Sequence, residues 1–143
     1  MTEVKLKTTG TQLVGVGIAG QPLALGFGNV VGIGFVSVVT NSGNPYQWQF
    51  VNVGSDGQSS KFLIGTQDGQ SWWRIPGNNL MPNCVSIDQG PQSIASTIVY
   101  DYATSTLNAS SNPQFLAPTG GAAGFYFATN NQASSPVVFY AIG

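Results

Sequence analysis

Two adjacent tryptophans, Trp72 and Trp73, stand among Asp68, Gln70 and Arg74. A flat apolar ring beside hydrogen-bonding side chains is what a sugar face or a protein contact requires. Tyr46 and Trp48 have the same character and share one face of an expected strand. The candidate binding or interface residues are therefore Tyr46, Trp48, Asp68, Trp72, Trp73 and Arg74. Adjacent strand residues point to opposite faces, so one of Trp72 and Trp73 belongs to a core and the other to an exposed or contact face, unless both are buried in a two-layer core or under the loop that follows.

Catalytic groups are scarce. The chain has no histidine, which removes histidine-based triads and histidine-ligated metals. Its one cysteine, Cys84, can form neither an internal disulfide nor a thiolate zinc site, and reads as a small buried hydrophobe. The acids Glu3, Asp56, Asp68, Asp88 and Asp101 are scattered. A glycosidase needs two carboxyls facing across a sugar. Asp56 and Asp68 could do this only if their turns lie at the same end of the fold. Each is flanked by glycine, where aspartate ordinarily serves backbone hydrogen bonding. No loop has the ligand spacing of a calcium site. Residues 15–20 match a dinucleotide-binding G-x-G-x-x-G, but Pro22, Gly26 and Gly28 prevent the helix that must follow, and no acid lies about 20 positions on. They read as a glycine-rich strand and turn. The expectation is a protein that is not an enzyme and holds no metal or cofactor.

Charge carries the next inference. Only 6% of the 143 residues are Asp, Glu, Lys or Arg, against about 25% in ordinary domains. None lies between Lys7 and Asp56 or after Asp101, and the net charge is −1. A surface built this way is neutral and polar, and weakly charged chains tend to associate. Four basic residues cannot track a phosphate backbone, so nucleic acid is not an expected partner.

The elements that position these residues read as β throughout. Residues 30–39 form an apolar strand with both faces buried. Further strands are predicted over 46–53, 61–66, 71–76, 94–103, 124–129 and 136–142. The Asp-Gly turn in TQDGQ joins two of them. Residues 77–93, with Pro82 and Pro91, read as a long loop, as do 104–124 apart from a short strand near Gln114–Leu116. No window has a helical apolar period. The predicted fold is a single all-β domain over 1–143, a β-sandwich or jelly-roll-like structure with long Gly/Ser/Asn/Pro loops, in which residues 1–28 could extend as an arm; a barrel shares the same local signals, so the strand order is left open.

Three functional expectations follow. The first is a structural component of an assembly, most concretely of a virion: a capsid decoration, cement or minor coat protein that contacts copies of itself or a capsid lattice. The second is a carbohydrate-binding module or lectin built on the aromatic candidates. The third, membrane activity through the uncharged stretch Leu13–Val39, is opposed by Gln21-Pro22, Asn29 and many glycines, whose backbone would need partners in lipid. The opening Met1-Thr2-Glu3-Val4-Lys5 does not read as a secretory signal, so synthesis in the cytosol is expected, with a virion or another extracellular assembly as the destination. The sequon Asn108-Ala109-Ser110 reads as a polar loop.

Overall fold

The computed structural model describes residues 5–18, 21–30, 33–40, 45–74, 85–109, 112–118, 125–129 and 138–142. The sequon's Ser110, the single Cys84, Glu3 and residues 77–84 of the 77–93 stretch fall outside them. The chain is all-β. Strands β1 (Gly10–Ile18), β2 (Gln21–Val30), β3 (Ile33–Thr40), β4 (Trp48–Ser55), β5 (Ser59–Gly65), β6 (Ser71–Arg74), β7 (Ser86–Gln89), β8 (Ile98–Asp101), β9 (Thr106–Ala109), β10 (Asn112–Pro118), β11 (Phe125–Thr129) and β12 (Val138–Ile142) belong to one sheet system. The one described helical element is a single 3-10 turn, Gln92–Ile94.

The ladders trace a closed circuit. Going round, β1 pairs β2, β2 pairs β3, β3 pairs β7, β7 pairs β6, β6 pairs β5, β5 pairs β4, and β4 returns to β1, all antiparallel. This is a closed seven-strand antiparallel barrel with further strands attached; it bears out the all-β expectation and does not confirm a sandwich or jelly roll. Closure rests on branching that short-range sequence pattern does not encode. β3 pairs β7 through Gly34 and Phe35, and β11 through Ser37 and Val38. β5 pairs β8 through Ser59–Phe62, and β6 through Gly65. β9 and β10 continue from β8 toward β11, and β12 lies along β1. Residues 10–18 and 21–30, part of the stretch considered as an arm, are here wall strands paired within the chain.

Inward-facing residues alternate along each strand and form one core, including Val14 and Val16 of β1, Leu23 and Leu25 of β2, Val36 of β3, Trp48 and Phe50 of β4, and Phe62 and Ile64 of β5. Phe50 and Phe62 meet edge to face with centroids 5.2 Å apart. Beyond them Tyr100 of β8 donates its hydroxyl to the Phe139 carbonyl (2.8 Å) and accepts the Leu6 N–H (3.5 Å), tying the N-terminal segment to β8 and β12. The Leu13–Val39 stretch is three antiparallel strands, and among the described residues no helix is long and apolar enough to cross a membrane.

The other face of the wall is also packed in places, and glycine makes this feasible. Gly15 lies opposite Tyr140, Gly28 opposite Phe35, and Gly65 opposite Trp72. In each pair the ring lies where the glycine's side chain would be: an added Cβ would come within 2.4–2.5 Å of ring carbon. At Gly65 it would also meet the Ser71 backbone carbonyl at 2.6 Å, so turning the ring would not relieve the overlap. A methyl group forced into such a contact typically costs about 1–3 kcal/mol. Gly15→Ala, Gly28→Ala and Gly65→Ala are each expected to lower stability by about that amount, with Gly65→Ala the most damaging. Gly54→Ala, with nothing within 4 Å of the added Cβ, should stay within about 0.5 kcal/mol of the parent. Urea unfolding of the four variants tests the ranking.

Candidate functional site at the barrel mouth

Phe27 lies opposite Val36 in the β2–β3 ladder and two residues past Leu25. It therefore shares the inward face of these two buried side chains. Yet it is 42% exposed, in the same class as Val53 and unlike every core ring. An inward-facing side chain that reaches water marks an open end of the barrel. There the Phe27 ring lies nearly parallel to Trp48, with 6.3 Å between centroids and 16° between planes. Tyr46 closes the group, 5.7 Å from Phe27 and 4.7 Å from Trp48 and tilted to both. Trp73 meets Trp48 from below, edge to face at 5.2 Å.

The backbone fixes this arrangement. The Tyr46 N–H donates to the Leu25 carbonyl (3.1 Å), and Trp48 Nε1 donates to the same oxygen (3.4 Å). The Tyr46 hydroxyl accepts the Gln67 N–H (3.0 Å), which joins the aromatics to the β5–β6 turn. That turn is held by Asp68. Its Oδ1 accepts from the Thr66 hydroxyl (2.6 Å) and the Gln70 N–H (3.0 Å). Gly69 takes φ +72°, a left-handed conformation suited to glycine. The mouth thus presents two reachable rings, Phe27 and the half-buried Tyr46, beside the exposed Gln67, Asp68 and Gln70.

The candidates divide between this site and the packed interior. Tyr46 is hydrogen-bonded to Gln67 in the turn that also carries Asp68. Trp48 is fully buried beneath them, and Trp73 is fully buried in the core. Trp72 faces the other way, as adjacent strand residues must, but it too is buried, at 3% exposure against Gly65. No tryptophan ring is therefore open to a ligand. Arg74 is exposed on the Trp72 face, where it pairs with Asp88 at 3.4 Å. Phe27 was not among the sequence candidates. Its signal was the alternation Leu23, Leu25, Phe27, which reads as a core face whose last member comes to the surface.

Asp56 and Asp68 lie in turns at opposite ends of β5. Seven residues of strand separate them by roughly 20 Å, so this pair cannot flank one glycosidic bond. Each does what a turn aspartate is expected to do. Asp56 Oδ1 accepts the N–H groups of Gln58 and Ser59, both at 2.9 Å. Among the described residues no three His, Cys, Asp or Glu side chains converge as a metal cage.

The backbone N–H groups of Gln58 and Ser59 hold the Asp56 carboxyl below its ordinary value, and the Thr66 hydroxyl followed by the Gln70 N–H does so for Asp68. The sign follows from linkage. A carboxyl with a depressed folded pKa stabilises the fold above its unfolded pKa, and this contribution is lost as pH falls through the folded value. Thermal midpoints recorded from neutral to strongly acid pH should therefore fall at the acid end, and the combined Asp56→Asn and Asp68→Asn variant should show a shallower fall. Carbon-detected NMR titration should place both carboxyls below a free aspartate. With this geometry in place, comparison of the chain with protein-family models, curated proteins and solved structures finds no match.

Proposed function

We propose that the protein is a non-catalytic structural component of a protein assembly, with a virion decoration, cement or minor coat protein as the concrete form. The observation that carries this reading is where charge lies on the sheet. The charged strand residues are Lys61 on β5, Arg74 on β6, Asp88 on β7 and Asp101 on β8. These four strands are contiguous, since β8 pairs β5, β5 pairs β6 and β6 pairs β7. Asp56 and Asp68 lie in the turns at either end of β5. The remaining charges, Glu3, Lys5 and Lys7, precede β1. Strands β4, β1, β2, β3, β11, β10, β9 and β12 carry no charge. One sector of the wall is charged, and all the rest is neutral.

A neutral wall of this extent has little electrostatic repulsion to keep copies apart. It suits a protein whose wall is covered by neighbours, either copies of itself or a lattice with a similarly neutral surface. The burial of all three tryptophans also favours this reading over a lectin built on tryptophan platforms.

Light scattering over a dilution series, with negative-stain images of the same sample, is expected to show a discrete oligomer or lattice that persists on dilution. Because the contacts are uncharged, association should change little with added salt. Thr11→Glu, at an exposed position on β1 of the neutral wall, should shift the protein to monomer with its unfolding midpoint nearly unchanged. Gln58→Glu, exposed in the charged sector, should leave the assembly intact. A parent protein that is monomeric throughout the series would overturn the self-assembling form of the proposal.

A further inference from the structure

We propose that the barrel mouth is a binding site for a neutral saccharide, with Phe27 and Tyr46 as the stacking surface and Asp68 as the hydroxyl acceptor. The proposal does not depend on the assembly reading, because the mouth is formed by inward-facing residues at one end of the barrel and the neutral wall by outward-facing ones.

Three observations carry it. The first is a large apolar ring left in water at the end of an otherwise buried face. Phe27 follows the buried Leu23 and Leu25 on the same face, yet remains 42% exposed. It is also packed on two sides, since Trp48 lies nearly parallel to it at 6.3 Å and Tyr46 stands beside it at 5.7 Å. The two reachable rings are inclined by 52°, so they make a shallow notch rather than a flat surface. The C–H face of a pyranose ring fits against such aromatic surfaces, and a platform already packed on two sides loses little side-chain entropy on binding.

The second observation is the polar rim. The Tyr46 hydroxyl already accepts the Gln67 N–H, which places the 66–70 turn against the ring. Within the turn, the Thr66 hydroxyl and the Gln70 N–H both bind Oδ1 of Asp68. The carboxylate is therefore pinned through one oxygen while its residue stays exposed. The other oxygen can accept sugar hydroxyls through charge-assisted hydrogen bonds. The exposed Gln67 and Gln70 side chains add donors and acceptors beside it.

The third is the sign of the charge. Asp68 is the charged residue of this rim, and Arg74 lies on the opposite face of β6, paired to Asp88. A carboxylate that remains ionised, with no cation on the described rim, disfavours sialylated, sulfated or phosphorylated ligands. It favours an uncharged, donor-rich one.

Saturation-transfer NMR with the methyl glycosides of glucose, galactose, mannose and N-acetylglucosamine, with sialyllactose as the charged arm, tests the proposal. At least one neutral glycoside should show saturable transfer, with affinity on the order of millimolar for a single ring. Tryptophan fluorescence should follow the same titration, because Trp48 lies under Phe27. Phe27→Ala and Asp68→Asn should each weaken binding by about tenfold. The asparagine keeps the turn's Oδ1 acceptor and replaces the second oxygen with an amide nitrogen, so the turn is retained while the charge and the proposed hydroxyl acceptor are lost. Val53→Ala, at the other exposed large hydrophobe, should leave binding unchanged. Absence of transfer from every neutral glycoside, preference for sialyllactose, or binding indifferent to both mouth variants would overturn the proposal. Failure to assemble in solution would leave this site standing, and failure to bind sugar would leave the assembly standing.

Discussion

Three rings of this wall lie over a glycine on the neighbouring strand, and the packing of the wall depends on that fit. Tyr140 over Gly15, Phe35 over Gly28 and Trp72 over Gly65 are cross-strand pairs in three different ladders. A strand interior loses entropy and packing surface by using glycine. Here the opposite aromatic restores the buried surface and locks register, since a slip of one residue would set the ring against a side chain. The Gly65–Trp72 rung matters most. It is the pairing through which β5 reaches β6, and without it the seven-strand circuit is open between those strands.

The same constraint explains why strand content was legible from sequence and closure was not. Alternation and β-branched composition located β3, β4, β5, β6, β8, β11 and β12 close to their observed positions. The paired faces of β3 were legible too: Phe35 and Val36, adjacent and pointing apart, are both buried. β7 was hidden because Ser86–Gln89 is only four residues long and stands between Pro82 and Pro91, which dominate any local reading. β9 and most of β10 were hidden by the Ser, Asn and Pro content of their segment. The barrel itself rests on three strands, β1, β3 and β5, that each divide one edge between two partners. Nothing in the local pattern of β1, β3 or β5 specifies that division, because it is a property of which distant segments compete for the edge.

At the mouth, residue types were legible and their arrangement was not. Tyr46 and Asp68 were identifiable by residue type, and a hydrogen bond from Gln67 ties Tyr46 to the turn that carries Asp68. Trp72 and Trp73 carried the strongest signal and lie instead in the packing, one on each face of β6. Large aromatics are the residues that both binding sites and cores favour, so type alone cannot distinguish them. What does distinguish them is the length of strand beyond the last neighbour that can cover the ring. Phe27 outruns its cover and Trp48 does not.

Closure also determines how this chain can meet another. A barrel leaves few strand edges to pair with a neighbour. β12 has β1 along one side. On its other side the Phe139 N–H is taken by the Ser105 carbonyl (2.7 Å) and the Phe139 carbonyl by the Tyr100 hydroxyl. Ser105 holds this position in a left-handed conformation, φ +59°, that a non-glycine residue adopts only under constraint, and Lys5 reaches its hydroxyl. Backbone groups that would recruit a foreign strand are thus consumed at this edge. At this edge a contact with another chain would be made by side chains rather than by strand pairing. On most of the wall the side chains are neutral, so shape and short polar contacts, rather than ion pairs, would set both the strength and the selectivity of any neighbour's fit.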